Sequence, residues 1–218
     1  MPETTSVQEV LSRRYVDAFQ LAFDVHSHQL RKATSVPYLS HVMSVSALVL
    51  EAGGGEDCAL GGLLHDAVED SPDGAAMLQR IHGQFGTRVA TIVESCSDTV
   101  PTPGTEKPPW RGRKEAYIAH LRDADPDSLL VSACDKLHNA RSIVADLRQV
   151  GPDLWQRFST GSGSDQVWYY QSLCDAFASR IPTALAAALG DVVREMTTLA
   201  SAQGVATTEQ VAWLSSRT

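Results

Sequence analysis

The chain reads as an all-α protein with one domain. Three observations lead there. Apolar residues recur at helical spacing along most of the 218 residues, no stretch sustains period-two alternation, and Pro and Gly gather in short interruptions between the apolar stripes. With 43% hydrophobic residues, a chain of this length can bury one substantial core, and no composition shift marks a second domain of comparable size.

Taken in order, Val7, Val10, Leu11, Tyr15, Phe19, Ala22 and Phe23 follow at helical spacing and predict a first amphipathic helix. Pro37 suits the N1 position of a second helix that runs through about Leu50, with Val42, Val45, Leu48 and Val49 on its apolar stripe. Gly53-Gly54-Gly55 stops that helix; it is no phosphate loop, because no Gly-Lys-Ser/Thr follows. The apolar segment Cys58 to Leu64 runs directly into His65-Asp66-Ala67-Val68-Glu69-Asp70. Thr99 to Trp110 holds Pro101, Pro103, Pro108 and Pro109 and is expected to be irregular. A second apolar run, Leu129 to Cys134, ends abruptly in Asp135-Lys136-Leu137-His138-Asn139. The loop Ser159-Thr160-Gly161-Ser162-Gly163-Ser164 precedes a helix carrying Trp168-Tyr169-Tyr170, aromatics of a kind that more often fill cores than touch ligands. A helix from Pro182 to Leu199 and a short one from Ala206 to Leu214 close the chain, with no chemistry-bearing group after about Arg180.

The densest chemistry lies in His65, Asp66, Glu69 and Asp70. At about 100° per residue, Glu69 falls near His65 and Asp70 near Asp66, so a helix would gather all four on one sector. The apolar segment before them offers no basic partner, and burying such acids without a cation costs several kcal/mol per charge. A metal ion resolves that conflict. His41, early in the second helix, and Asp135, at the end of its apolar run, complete a set of two imidazoles and two carboxylates from three helices. Taken singly, His41 reads as a hydrogen-bonded core histidine and Asp135 as half of a salt bridge. Their joint occurrence favours the metal site.

The formal net charge of -8 argues against a general nucleic-acid binder, so a phosphorylated ligand must meet a local basic patch. Arg31-Lys32 and the group Lys107, Arg111, Arg113 and Lys114 qualify, and proximity to the metal motifs singles out Arg31, Lys32 and Lys114. No apolar run approaches the roughly 18 residues that would span a bilayer. Glu3, Glu9, Arg13 and Arg14 interrupt any signal-peptide core, so no membrane association and a cytoplasmic location are expected. Cys58, Cys96, Cys134 and Cys174 fit no zinc-binding spacing and are expected to be reduced core residues.

From about Phe23 to about Ala178 the chain resembles the HD-domain metallohydrolases, and within them the alarmone hydrolases: the hydrolase domain of the Rel/Spo enzymes and the stand-alone forms that include the metazoan SpoT homologue. The likeness is carried by Arg31-Lys32, Pro37-Tyr38-Leu39-Ser40-His41, His65-Asp66-Ala67-Val68-Glu69-Asp70-Ser71, Arg113-Lys114 and Asp135-Lys136-Leu137-His138-Asn139-Ala140-Arg141-Ser142. The resemblance implies an all-helical HD domain and a manganese ion held by His41, His65, Asp66 and Asp135. Glu69 and Asp70 would be the catalytic acid and base, Asn139 and Ser142 would line the nucleotide side of the pocket, and Tyr169 would lie near the nucleobase. Departures are the loop Ala33-Thr34-Ser35-Val36, which lacks the glycine usual before the Pro-Tyr pair, Val42 where many relatives have proline, and Ser71 in place of threonine.

The implied reaction removes pyrophosphate from the ribose 3′ position of guanosine tetra- or pentaphosphate. Mixed imidazole and carboxylate ligation does not by itself select manganese. The chain has no room for a synthetase domain and is expected to be hydrolase only, one domain over residues 1–218, with the motifs in about 23–178 and helices at about 182–214. A homo-oligomer remains open. The alternatives are an HD phosphohydrolase for another nucleotide, such as an adenosine alarmone, NADPH or a nucleoside monophosphate, and a non-catalytic nucleotide sensor. The intact ligand set with both acids speaks against the sensor.

Overall fold

The computed structural model describes residues 11–101, 103–158, 160 and 162–216. Its helices are α1 (Arg13–His26), α2 (Leu39–Glu51), α3 (Glu56–Leu64), α4 (Gly74–Phe85), α5 (Thr87–Cys96), α6 (Trp110–Leu121), α7 (Pro126–Val150), α8 (Gly163–Phe177), α9 (Thr183–Ala202) and α10 (Thr208–Ser215), with a 3₁₀ segment Gly151–Arg157 after α7. Among the described residues the only β pairing is the isolated bridge between Leu30 and Pro37, so the all-α expectation holds. No helix there is long and apolar enough to cross a membrane.

Local chemistry sets several boundaries. Ser12, Asp73, Asp125 and Ser162 each accept a backbone N–H at the start of a helix, satisfying donors that the first turn leaves open. Pro126 occupies the first turn of α7, and Thr207 with Gln210 forms a reciprocal capping box on α10. Pro37 is not the N1 residue of α2: it pairs with Leu30, and the helix starts two residues later. That pairing closes a loop that presents Arg31 and Lys32, held by Arg31 N–H to the Val36 carbonyl at 2.8 Å and Tyr38 N–H to the Gln29 carbonyl at 2.9 Å. Within it Ala33 adopts φ 57°, a left-handed conformation that costs a non-glycine residue about 1–2 kcal/mol.

The predicted stripe of the first helix is partly wrong. Val7 and Val10 lie outside the described residues and Leu11 precedes α1. The buried face centres on Ala18, Leu21 and Ala22, which leaves Phe23 46% exposed, two turns along the same outward face as Val16. The larger correction concerns His65 to Asp70. α3 ends at Leu64, and the six following residues form successive turns instead of continuing the helix. The His65 ring approaches the Gly62 carbonyl with Nδ1 at 2.9 Å, occupying an acceptor that a continuing helix would pair with Asp66.

Two apolar clusters flank the central helices. One joins α1 to α5 through Leu21, Leu60, Leu63, Ile81 and Val93; the other surrounds α7 with Leu121, Leu137, Leu173, Phe177 and Leu189. α7, 25 residues and thus about 37 Å long, packs on α2, α3, α5, α8 and α9 and so ties both clusters to one axis. All four cysteines are buried and none is in a disulfide, as expected. α3 lies tightly on α2, because a Cβ added at Gly62 would stand 2.9 Å from Ser46 Cα. That close approach brings the C-terminal end of α3 beside the first turn of α2.

Candidate functional site

Where these helices meet, His41 projects from the first turn of α2, His65 caps α3, Asp66 follows it, and Asp135 comes from α7. Their facing atoms converge. His41 Nε2 and His65 Nε2 are 3.2 Å apart; Asp66 Oδ2 lies 3.0 Å from His65 Nε2 and 3.5 Å from His41 Nε2; Asp135 Oδ1 lies 3.2 Å from His41 Nε2 and 3.5 Å from His65 Nε2. The Gly62 carbonyl is an acceptor only, so His65 carries its proton on Nδ1 and turns a bare Nε2 inward. Bare nitrogens and carboxylate oxygens crowding one point at these separations repel one another unless a cation sits among them. The donors of His41, His65 and Asp66 lie within 4.8 Å of one another and fit a divalent metal ion, with Asp135 Oδ1 beside both imidazoles.

The electrostatics agree. Burial opposes charge on His65, but Asp66 and Asp135 outweigh it and push its pKa well above the usual value. Burial also opposes ionisation of Asp66 and Asp135, yet His65 and His41 hold the first and Lys136 and His65 the second well below the usual carboxylate range. Both carboxylates take further donors: Tyr38 O–H donates to Asp66 Oδ2 at 2.6 Å, Asn139 Nδ2 to Asp135 Oδ1 at 2.5 Å, and Lys136 Nζ to Asp135 Oδ2 at 2.5 Å.

Glu69 and Asp70 reach their positions through the turns after His65, not through a helix face. Glu69 Oε1 accepts the Asp98 backbone N–H at 2.7 Å, and Oε2 lies 3.4 Å from Lys107 Nζ. Asp70 is more open and accepts from Gln29 Nε2 at 2.8 Å. Burial raises the pKa of both, and the neighbouring charge of Asp66 adds to the rise, with Asp98 contributing more than Asp66 at Glu69.

Beside the cluster opens a cavity of about 280 Å³, and Arg31, Lys32, Lys114, Asn139, Ser142 and Tyr169 all line it. Arg31 Nη2 donates to Asn139 Oδ1 at 2.9 Å; Lys32 is exposed on its loop; Lys114 Nζ sits 5.0 Å from the centre of the Tyr169 ring. The Tyr169 hydroxyl is buried without a hydrogen-bond partner among the described residues. Of the second basic group, only Lys114 faces the cavity. Lys107 turns to Glu69, Arg113 to Asp98, and Arg111 stacks on Trp168 at 3.2 Å from the ring centre.

Three contributors went unassigned in the sequence. Lys136 lines the cavity and bonds Asp135; Asp98, 3% exposed, clamps Arg113 and Lys114; His138 Nδ1 lies 2.8 Å from His41 Nδ1. For His138 a signal was present, since Asp135, His138, Asn139 and Ser142 fall at i, i+3, i+4 and i+7 on one face of α7. Asp98 sits at the end of α5 with no periodic or motif partner in the chain.

Known proteins resemble this chain in sequence and fold. The HD-domain pattern matches residues 18–163. A Synechocystis protein described as a probable guanosine-3′,5′-bis(diphosphate) 3′-pyrophosphohydrolase is 30% identical over 145 residues, 66% of this chain and 18% of its own length. The Escherichia coli bifunctional (p)ppGpp synthase/hydrolase SpoT is 29% identical over 145 residues, 64% of this chain and 19% of its own. The chain thus spans about a fifth of the length of these curated relatives. Among solved structures, a metazoan orthologue of SpoT, described as hydrolysing ppGpp, superposes with a TM-score of 0.66 at 23% identity, over 84% of this chain and 96% of that one. With the family pattern spanning residues 18–163, His41, His65, Asp66 and Asp135 among them, this chain belongs to the HD-domain family.

Proposed function

We propose that this chain is a metal-dependent (p)ppGpp 3′-pyrophosphohydrolase, a cytoplasmic single-domain hydrolase that uses manganese. The observation that carries the reading is the junction of two features: a four-residue His/Asp cluster and, against it, a cavity whose walls bring together Arg31, Lys32, Lys114 and Lys136 in a chain of net charge -8. His41, His65, Asp66 and Asp135 would hold the ion. When bound, such an ion lowers the pKa of water and offsets charge on a phosphoryl group.

The chain's own groups do the rest. Arg31, Lys32 and Lys114 hold and orient the phosphates in an otherwise acidic protein. Glu69 and Asp70, both with raised pKa, divide the proton work: one takes a proton from the attacking water and the other gives one to the ribose 3′ oxygen as its bond to phosphorus breaks. Asn139 and Ser142 line the nucleoside side, and Tyr169 forms the wall beneath Lys114. A panel of ppGpp, ppApp, NADPH and nucleoside monophosphates with Mn2+ tests the reading. The expected result is release of pyrophosphate from ppGpp; release of orthophosphate alone, or turnover of monophosphates only, would refute it.

A further inference from the structure

We infer that His138 is the positioning residue of the metal centre: it fixes the ring of His41 and dictates which of its nitrogens is left bare for the ion. The inference rests on the metal-binding part of the proposed function and on a question of donors and acceptors. His41 and His138 meet through their Nδ1 atoms at 2.8 Å, with ring centres 4.9 Å apart. A hydrogen bond between two imidazole nitrogens needs one N–H and one lone pair, so one ring must donate and the other accept.

Arg31 decides which. Its Nη1 lies 3.3 Å from the same Nδ1 of His138, and a guanidinium carries only donors. Were His138 Nδ1 protonated, two N–H groups would point at each other there; His138 Nδ1 is therefore the acceptor. The proton in the shared bond then belongs to His41 Nδ1. His41 Nε2, which lies 3.2 Å from both His65 Nε2 and Asp135 Oδ1, is left with its lone pair facing the cluster. His65 reaches the same state by a different route, through the Gly62 carbonyl.

The guanidinium is held in turn, since Nη2 donates to Asn139 Oδ1 at 2.9 Å and Asn139 Nδ2 donates to Asp135. A closed ring of contacts thus runs from His41 through His138, Arg31 and Asn139 back to Asp135, a second candidate ligand. The consequence is specific: the one feature of His138 that matters to the metal is an acceptor at the position of Nδ1. Asparagine places its Oδ1 there, whereas alanine places nothing.

The test is Mn2+ titration of metal-stripped protein without nucleotide, read by calorimetry, for the wild type, His138→Ala and His138→Asn, with metal-free thermal melting as the check on folding. His138→Ala is expected to weaken Mn2+ binding roughly ten- to a hundredfold, the usual effect of losing an outer partner of a ligating histidine. His138→Asn, with the acceptor restored, should stay within about threefold of the wild type. Wild-type affinity in His138→Ala, or a fall in His138→Asn as deep as in His138→Ala, would overturn the assignment. If His138→Ala does not fold, a fall of tenfold or more in His138→Asn would still overturn the assignment. A wild-type protein that takes up no Mn2+ would refute the proposed function itself, a result distinct from equal binding by all three proteins.

Discussion

Replacing Asp98 with asparagine removes the anion on which Arg113 and Lys114 close. The carboxylate is 3% exposed, Arg113 13% and Lys114 18%, with contacts of 2.5 Å and 2.6 Å. Removing one member of a buried ion pair strands the other and costs about 3–5 kcal/mol. Here two cations are stranded, but the cavity gives Lys114 a route to water, so the lower end, about 3 kcal/mol, is expected. For a domain of this size that corresponds to a fall in Tm of about 6–12 °C. Urea unfolding should show a lower midpoint with an unchanged slope.

The pH dependence is equally defined. Burial works against the Asp98 charge, but Lys114 and Arg113 prevail and hold its carboxyl far below its ordinary value. A depressed carboxylate contributes stability in full above the unfolded pKa of about 3.9, and loses it as pH falls toward the folded value. The gap between wild type and variant should be flat from about pH 6 to 8 and narrow only below about pH 4. A gap under about 1 kcal/mol at pH 7, the value of an exposed pair, would refute the reasoning. So would a gap that closes between pH 5 and 7.

Further expectations concern the site. Glu69→Gln should retain metal yet lose roughly two to four orders of magnitude in turnover, measured at saturating ppGpp; near wild-type turnover would remove it from the proton work. His65→Ala should abolish bound metal and activity together, and full metal occupancy in the purified variant would rule His65 out as a ligand. Lys32→Ala should raise KM for a 3′-pyrophosphorylated nucleotide with metal content unchanged, and the difference should shrink with salt, since exposed charges are screened within about 8–10 Å at physiological ionic strength. An equal penalty for mono- and tetraphosphates would make Lys32 structural. The thiols should resist Ellman's reagent until denaturant is added: all four are buried, and burial pushes Cys58 up to about 11 and Cys134 up to about 12. Rapid labelling of the native protein would contradict that.

The residues that face the cluster were legible because their chemistry is rare in apolar surroundings: a His-Asp pair after Leu63-Leu64 and an aspartate after Leu129 to Cys134 advertise themselves. The helical registers of α2 and α9 followed from apolar spacing to within a few residues. What misled was local geometry set by distant or competing groups. Asp66 to Asp70 contain no helix breaker, so only the claim of His65 on the Gly62 carbonyl and the pull of Asp98 and Gln29 on the two acids reveal turns there. Phe23 was placed in the core by spacing alone, although α1 turns its smaller residues inward. Asp98 and the His41–His138 contact join segments 15 or more positions apart, and no periodicity encodes such pairings.

The packing of Gly62 on the backbone of Ser46 carries a thermodynamic consequence. The gap between His41 and His65 is fixed by how closely two helix backbones approach, not by side-chain rotamers alone. Metal–ligand distances lie within about 0.2 Å of their usual values. A metal held as proposed by His41 and His65 would report on the α2–α3 contact, and loosening that contact by heat or by Gly62→Ala is expected to release the ion while both helices are still folded. Metal loss should then precede the main unfolding transition, and the ion's grip would set an upper limit on how far this interface can breathe.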